Sequence, residues 1–383
     1  MLRVALYSAV LIAGIVVSQL TDLSDIRGAL TTITLACLAY IMIEVGLEFT
    51  LNKRRLGEYG WDYLVAATAA TFPWIFCALY FVWLLDASWK EALLVGRFAA
   101  PTSAGVLFAM LAAAGLGTTW LFRKTRILAI FDDLDTVLLL VPLQIMFVGF
   151  KPELAFVVLI IFALLFVGFR WLRVLRWPTS RVWLLSYGVA VVASCAMLEH
   201  TTNVHLEVLL PAFVLGCMLY NPHDPNVTAE HAHEHTHLEP ESGTAQLIDQ
   251  TVKFAFMFLV GCSLPQIELG SMSVATAAGH VVALTVLSNI GKCFPMFCYR
   301  AEAPLRHRIA TGIAMFPRGE VGAGVLLVAI GYGITGLPVT IGALSLALNL
   351  LLTGPFIAIV IWLLGKEEEP VNTAARVTAV RRA

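Results

Sequence analysis

The run from Ile127 to Gly149 is long and apolar enough to cross a bilayer, yet Asp132, Asp133 and Asp135 lie inside it. Lipid offers the backbone no hydrogen-bond partners, so such a run must be helical, and its charged residues must face protein or water. Ionisable groups at that depth are costly and usually functional. Lys292 and the triplet Arg318-Gly319-Glu320 lie in other apolar stretches, so groups of both signs are held at membrane depth. Together they describe a pathway for cations.

The rest of the chain has the same character. Hydrophobic residues make up 59% and charged residues 13%, where a soluble chain carries roughly a quarter charged. The fold class expected is an all-α polytopic membrane protein, with the lipid bilayer as its surroundings. A net charge of -1, with nothing basic clustered outside short loops, carries no signal of nucleic-acid binding, and no nucleic acid is expected as a partner. The seven cysteines are scattered through apolar segments and read as small packing residues.

About twelve spans are expected, near 2–20, 29–51, 62–85, 91–116, 126–149, 153–173, 181–199, 204–221, 247–266, 272–299, 308–333 and 337–364. With the N-terminus placed inside, the basic loops at Lys53-Arg54-Arg55 and Arg123-Lys124, the Arg170 to Arg181 stretch and the C-terminal tail all fall on the inner side. Only Arg27, Lys90 and Lys151 fall outside, and Arg97, Lys292 and Arg318 stay within spans. Both termini are therefore expected to be cytoplasmic, in an inner or plasma membrane. This pattern holds with the first segment retained, which argues against reading it as a signal peptide.

An internal repeat organises the spans. Ile43-Glu44-Val45-Gly46-Leu47-Glu48 resembles Phe258-Leu259-Val260-Gly261-Cys262-Ser263. The shift that lays Gly46 on Gly261 carries Pro101 to Phe316, one residue before Pro317. It moves each element by an odd number of spans, so the two copies are expected to be inverted, as in secondary transporters. Pro101 with Gly105, and Pro317 with Gly319, Gly322 and Gly324, should interrupt both helices near the midplane. Interrupted backbone at that depth must line a cavity.

The Asp132-Asp133 pair, the Pro101-Thr102-Ser103 break, Gly291-Lys292 and Phe316-Pro317-Arg318-Gly319-Glu320-Val321-Gly322 together resemble the monovalent cation:proton antiporter superfamily. The resemblance runs from about residue 30 to 364, and Pro-Arg-Gly-Glu-Val-Gly is its most specific piece. It implies crossed discontinuous helices in a core of residues 62–150 and 269–365, and a panel of 1–61 and 151–268 that mediates homodimer formation. The tail 366–383 is expected to be disordered. The activity implied is exchange of sodium, or another monovalent cation, for protons, with no cofactor and no enzymatic role.

By the same resemblance Asp133 is the ion-binding carboxylate and Asp132 the partner of Lys292. Physical chemistry is consistent with this. A positive neighbour favours ionisation of one of two adjacent carboxylates, while burial favours the neutral form of the other. Lys292 is then a candidate proton carrier, unless it snorkels to the inner surface. Thr102 and Ser103 hydroxyls suit a hard cation. Arg318 and Glu320 are expected to compensate the broken helix ends, or to pair with each other. Asp135 belongs to the access path or to a solvated mouth, and Glu44 has no assigned task.

One segment departs from the family pattern. In the loop 222–246, His231, His233, His235 and His237 alternate with other residues and could chelate zinc, nickel or copper, or form a polar linker that titrates near neutrality. A sodium-coupled organic-anion symporter of related plan and a potassium/proton antiporter are the rival functions. The buried Asp-Asp-Lys set favours proton coupling over the first.

Overall fold

The computed structural model describes residues 2–21, 23–48, 56–103, 107–108, 111, 116–117, 119–149, 177–202, 208–219, 243–263 and 272–364. The sixth expected span, residues 222–242 of the histidine-rich loop and the tail lie outside the described residues; residues 243–246 belong to a helix instead of that loop.

The described residues form helices and no strand. In chain order they are α1 (Leu2–Leu20), α2 (Arg27–Glu48), α3 (Leu56–Leu84), α4 (Trp89–Gly96), α5 (Trp120–Val148), α6 (Arg181–Thr202), α7 (Leu209–Met218), α8 (Gly243–Ser263), α9 (Val274–Gly291), α10 (Leu305–Ala314), α11 (Glu320–Gly331) and α12 (Leu337–Leu364). Five stretches among them are long and apolar enough to cross a membrane: Arg27–Leu47, Tyr59–Leu84, Arg181–Leu198, Val274–Phe297 and Leu337–Leu364. The protein is a multi-pass helical membrane protein.

Two expected spans prove to be composite. Span four is helical only to Gly96; a 3-10 turn follows at Arg97–Ala99, Pro101 to Ser103 lie outside any helix, and Leu107 and Phe108 are helical again. Proline withholds the N–H that continuation would need. Span eleven divides into α10 and α11, with Phe316 to Gly319 non-helical between them. Span ten, expected as one helix over 272–299, instead ends at Gly291, turns at Lys292 and continues as the 3-10 piece Phe294–Phe297. Pro295 accounts for that ending.

Packing joins the two halves of the sequence. α3 packs on α4, α5 and α9, and α12 packs on α9 and α10. On the other side α1 packs on α8, and α2 packs on α6, α7 and α8. The α1–α8 crossing is set by Gly14 and Gly261, where an added methyl on Gly261 would sit 2.8 Å from the Ile15 nitrogen. The α2–α7 crossing is set by Gly46 and Gly216, where a methyl on either glycine would sit 2.9 Å from the Cα of the other. Small residues let helix backbones touch in membranes, where dispersion replaces the hydrophobic effect.

Candidate functional site

The two breaks cross. The Ser103 amide donates to the Pro317 carbonyl at 2.8 Å, so the backbone of one break is hydrogen-bonded to the backbone of the other. Gly319 permits the approach, because a Cβ there would lie 2.6 Å from Ser103 Oγ. α5 passes beside this crossing and α9 ends at it.

Asp132 and Asp133 are both buried on α5, and Lys292 is fully buried where α9 stops. Lys292 Nζ forms an ion pair with Asp132 Oδ2. The alternative in which this lysine snorkels to the surface is thereby removed: the turn after Gly291 directs it inward. Thr102 Oγ1 donates to the same Asp132 oxygen at 2.7 Å and lies 3.2 Å from the Met315 carbonyl. The pair expected from the sequence, Asp132 with Lys292, thus meets at the crossing, with Thr102 from the first break. Asp133 is its chain neighbour.

Ser103, Arg318 and Glu320 form the second layer. Ser103 Oγ donates to Glu320 Oε2 at 3.0 Å. Glu320 is the first residue of α11, where a carboxylate opposes the positive end of the helix dipole. Arg318 is fully buried and donates to the carbonyls of Ala99 at 2.7 Å and Ser288 at 2.9 Å, to Asn289 Oδ1 at 3.1 Å and to the Phe316 carbonyl. The arginine therefore serves carbonyls at the ends of the 97–99 turn and of α9. The two charged residues of the triplet bind different partners.

Other charged groups join in ways the sequence did not indicate. Asp135, expected on the access path or in a solvated mouth, is buried and pairs with Arg97 at 2.9 Å. Arg97 was legible only as a charge within a span. Glu44, left without a task, pairs with Arg181 at 2.5 Å and Lys253 at 2.7 Å, joining α2, α6 and α8. Asp62 lies inside α3, which begins at Leu56 and not near 62; it accepts from Lys124 at 3.0 Å and from Tyr299 Oη at 2.8 Å. With Tyr59, Trp120, Arg123 and Glu302, Asp62 and Lys124 line a cavity of about 390 Å³ at the N-terminal end of α5. His280 on α9 hydrogen-bonds Tyr80 Oη through Nδ1 at 2.7 Å. Among the described residues no cluster of three or more metal-ligating side chains occurs.

Residues 1–363 match the family described as sodium/hydrogen exchanger, transmembrane. The chain belongs to that family. Its fold is also that of a solved relative, the sodium proton antiporter MjNhaP1 from Methanocaldococcus jannaschii at pH 8. The TM-score is 0.62 at 12% sequence identity, over 94% of this chain and 92% of that one. No curated protein sequence matches significantly. At 12% identity the structural likeness speaks for the fold alone, and the membership rests on the match across the exchanger sequence.

Proposed function

We propose that this exchanger is a secondary active antiporter that moves sodium against protons by alternating access, and that its cycle carries net charge. One observation carries the reading: a buried carboxylate–lysine pair, Asp132 with Lys292, sits where two interrupted helices cross, beside a second buried carboxylate, Asp133. In this reading Asp133 is the anionic ligand, and Thr102 and Ser103 contribute hydroxyl oxygens. A hydroxyl that donates its proton to a carboxylate keeps lone pairs for a cation. Asp133 and Lys292 each release a proton when the cation enters the site, so two protons cross for each cation. Arg318 and Glu320 compensate helix ends and do not titrate in the cycle.

The two glycine crossings support an inverted repeat. Exchanging α1 with α7 and α2 with α8 turns the α1–α8 contact into the α2–α7 contact, and Gly46 and Gly261 change places, as the sequence shift pairs them. We assign the core to residues 62–150 and 269–365, and the panel, which forms a homodimer, to 1–61 and 151–268. Both termini are cytoplasmic, and the physiological role is pH homeostasis. His231, His233, His235 and His237 are assigned as a weak divalent-metal site in the histidine-rich loop.

Proton flux in proteoliposomes, driven by each alkali cation in turn, tests the reading. Sodium is expected to drive it, and Asp133→Asn is expected to abolish it while the protein still folds, since the amide keeps shape but removes the anionic ligand. Cation-driven flux at the wild-type rate in Asp133→Asn would reject the assignment. Flux with potassium but not sodium would transfer it to potassium/proton exchange.

A further inference from the structure

Arg97 has no task in the exchange proposed above, although it is fully buried. Its place is fixed in three ways. Nη2 donates to Asp135 Oδ2 at 2.9 Å and to the Asp135 carbonyl at 2.7 Å. The guanidinium lies 4.6 Å from the ring centroid of Trp74. Its backbone opens the 97–99 turn that leads to the break at Pro101. Nε and Nη1 remain buried with no acceptor among the described residues. Donors left open in a protein interior are uncommon and call for a reason.

The reason lies one helical turn from the anchor. Asp132 precedes Asp135 by three positions on α5, the spacing that makes side chains neighbours on one face. Asp132 Oδ2 is engaged by Lys292 and Thr102, whereas Oδ1 is buried and accepts no hydrogen bond among the described residues. Open donors on Arg97 and an open acceptor on Asp132 thus occupy neighbouring positions. The two bases also differ in kind. A buried lysine can lose its proton, but an arginine guanidinium keeps its charge.

We propose that Arg97 is a standing second cationic partner of Asp132, which keeps that carboxylate ionised when Lys292 leaves it. Arg97 acts through Asp132 and is a positioning residue, with Asp135 as its anchor. The inference rests on the exchange reading and deepens it, because it explains how Asp132 stays ready for the lysine to return. The charged and titratable groups around the pair are Tyr63 on α3, Asp132, Asp133 and Asp135 on α5, Lys292 at the end of α9, and Arg318 in the second break.

Calorimetric titration of the purified full chain with sodium, from acidic to alkaline pH, tests this. A proton on Asp132 removes a negative charge beside Asp133 and so weakens the hold on the cation. Removing the neighbouring positive charge raises the carboxyl pKa, and removing the neighbouring negative charge lowers it. Arg97→Gln should therefore move the pH midpoint of sodium binding upward by about one unit, and Asp135→Asn should move it downward by about the same amount. Arg97→Lys should return it most of the way. A pair that only braced α4 against α5 would leave the midpoint in place, and equal weakening in both single variants overturns the proposal. If Arg97→Gln does not fold, the double variant Arg97→Gln/Asp135→Asn, which buries no lone charge, is compared with Asp135→Asn: a midpoint above that of Asp135→Asn supports the inference, and an equal midpoint rejects it. Wild-type flux in proteoliposomes separates the two claims. Opposite midpoint shifts without flux would keep the Arg97 assignment and reject exchange, whereas flux without the shifts would reject Arg97.

Discussion

Replacing Arg318 with glutamine removes the side chain that holds three pieces of chain together at the crossing. The guanidinium serves four acceptors, the carbonyls of Ala99, Ser288 and Phe316 and Asn289 Oδ1, and is fully buried. A buried acceptor left open costs about 1–3 kcal/mol. Glutamine is shorter and neutral, so most of the four are stranded, but neighbouring backbone relaxes and the losses do not add fully. The expected destabilisation is about 3–5 kcal/mol, the range seen when one member of a buried charged network is removed. Arg318→Lys keeps the charge that opposes the carbonyl ends but not the planar fork, and should lose roughly 2 kcal/mol. Thermal unfolding in detergent measures both. Because Arg318 and Glu320 bind different partners, Glu320→Gln should melt well above Arg318→Gln. If Glu320→Gln reproduces the full loss, the arginine is held by its neighbour in the triplet and the helix-end account fails. An Arg318→Gln protein that melts with the wild type would refute it as well.

Two further outcomes bear on the cycle. Lys292→Gln should still bind sodium through Asp133 but carry less charge per cation, so solid-supported-membrane current should fall more steeply than radioactive sodium uptake; an unchanged ratio leaves the lysine as a structural partner of Asp132. Thr102→Ala should raise the apparent cation KM more than it lowers the maximal rate, since the hydroxyl is assigned as a ligand and as a donor to Asp132 at 2.7 Å, and an unmoved KM places the cation elsewhere.

The parts of the site that were legible in the sequence are those in which a local rule is broken. Aspartates in an apolar run and prolines in the middle of spans violate the composition of a membrane helix, and each violation marks a place where Asp132, Thr102 or the second break meets the others. Lys292 was legible as a charge, but its direction was not. Two turns from a helix end, a lysine can reach water or protein equally well, and only the stop at Gly291, followed by Pro295, turns it inward. The 3-10 piece after it was missed because an apolar run with one proline reads the same whether the helix bends or ends.

Partnership between charges is the quantity that hydropathy does not contain. Arg97, Asp135, Asp62 and Glu44 each register as a single anomaly or as nothing, because their partners lie on other helices: Arg97 finds Asp135 on α5, Asp62 finds Lys124 on α5 and Tyr299 beyond α9, and Glu44 finds Arg181 and Lys253. Burial makes such pairing obligatory, since an unpaired charge in the interior is far costlier than a paired one. The rule predicts that each buried charge has a partner without naming it. Two of these networks begin on α5, Lys124 at its N-terminal end and Asp135 one turn beyond the Asp132-Asp133 pair. α5 is thus tied to α3 through Asp62 on one side of the ion site and to the first break through Arg97 on the other. Displacing α5 along its axis would have to break or carry both ties, so α5, α3 and the first break are held as a unit, which is what the proposed alternating-access core would require.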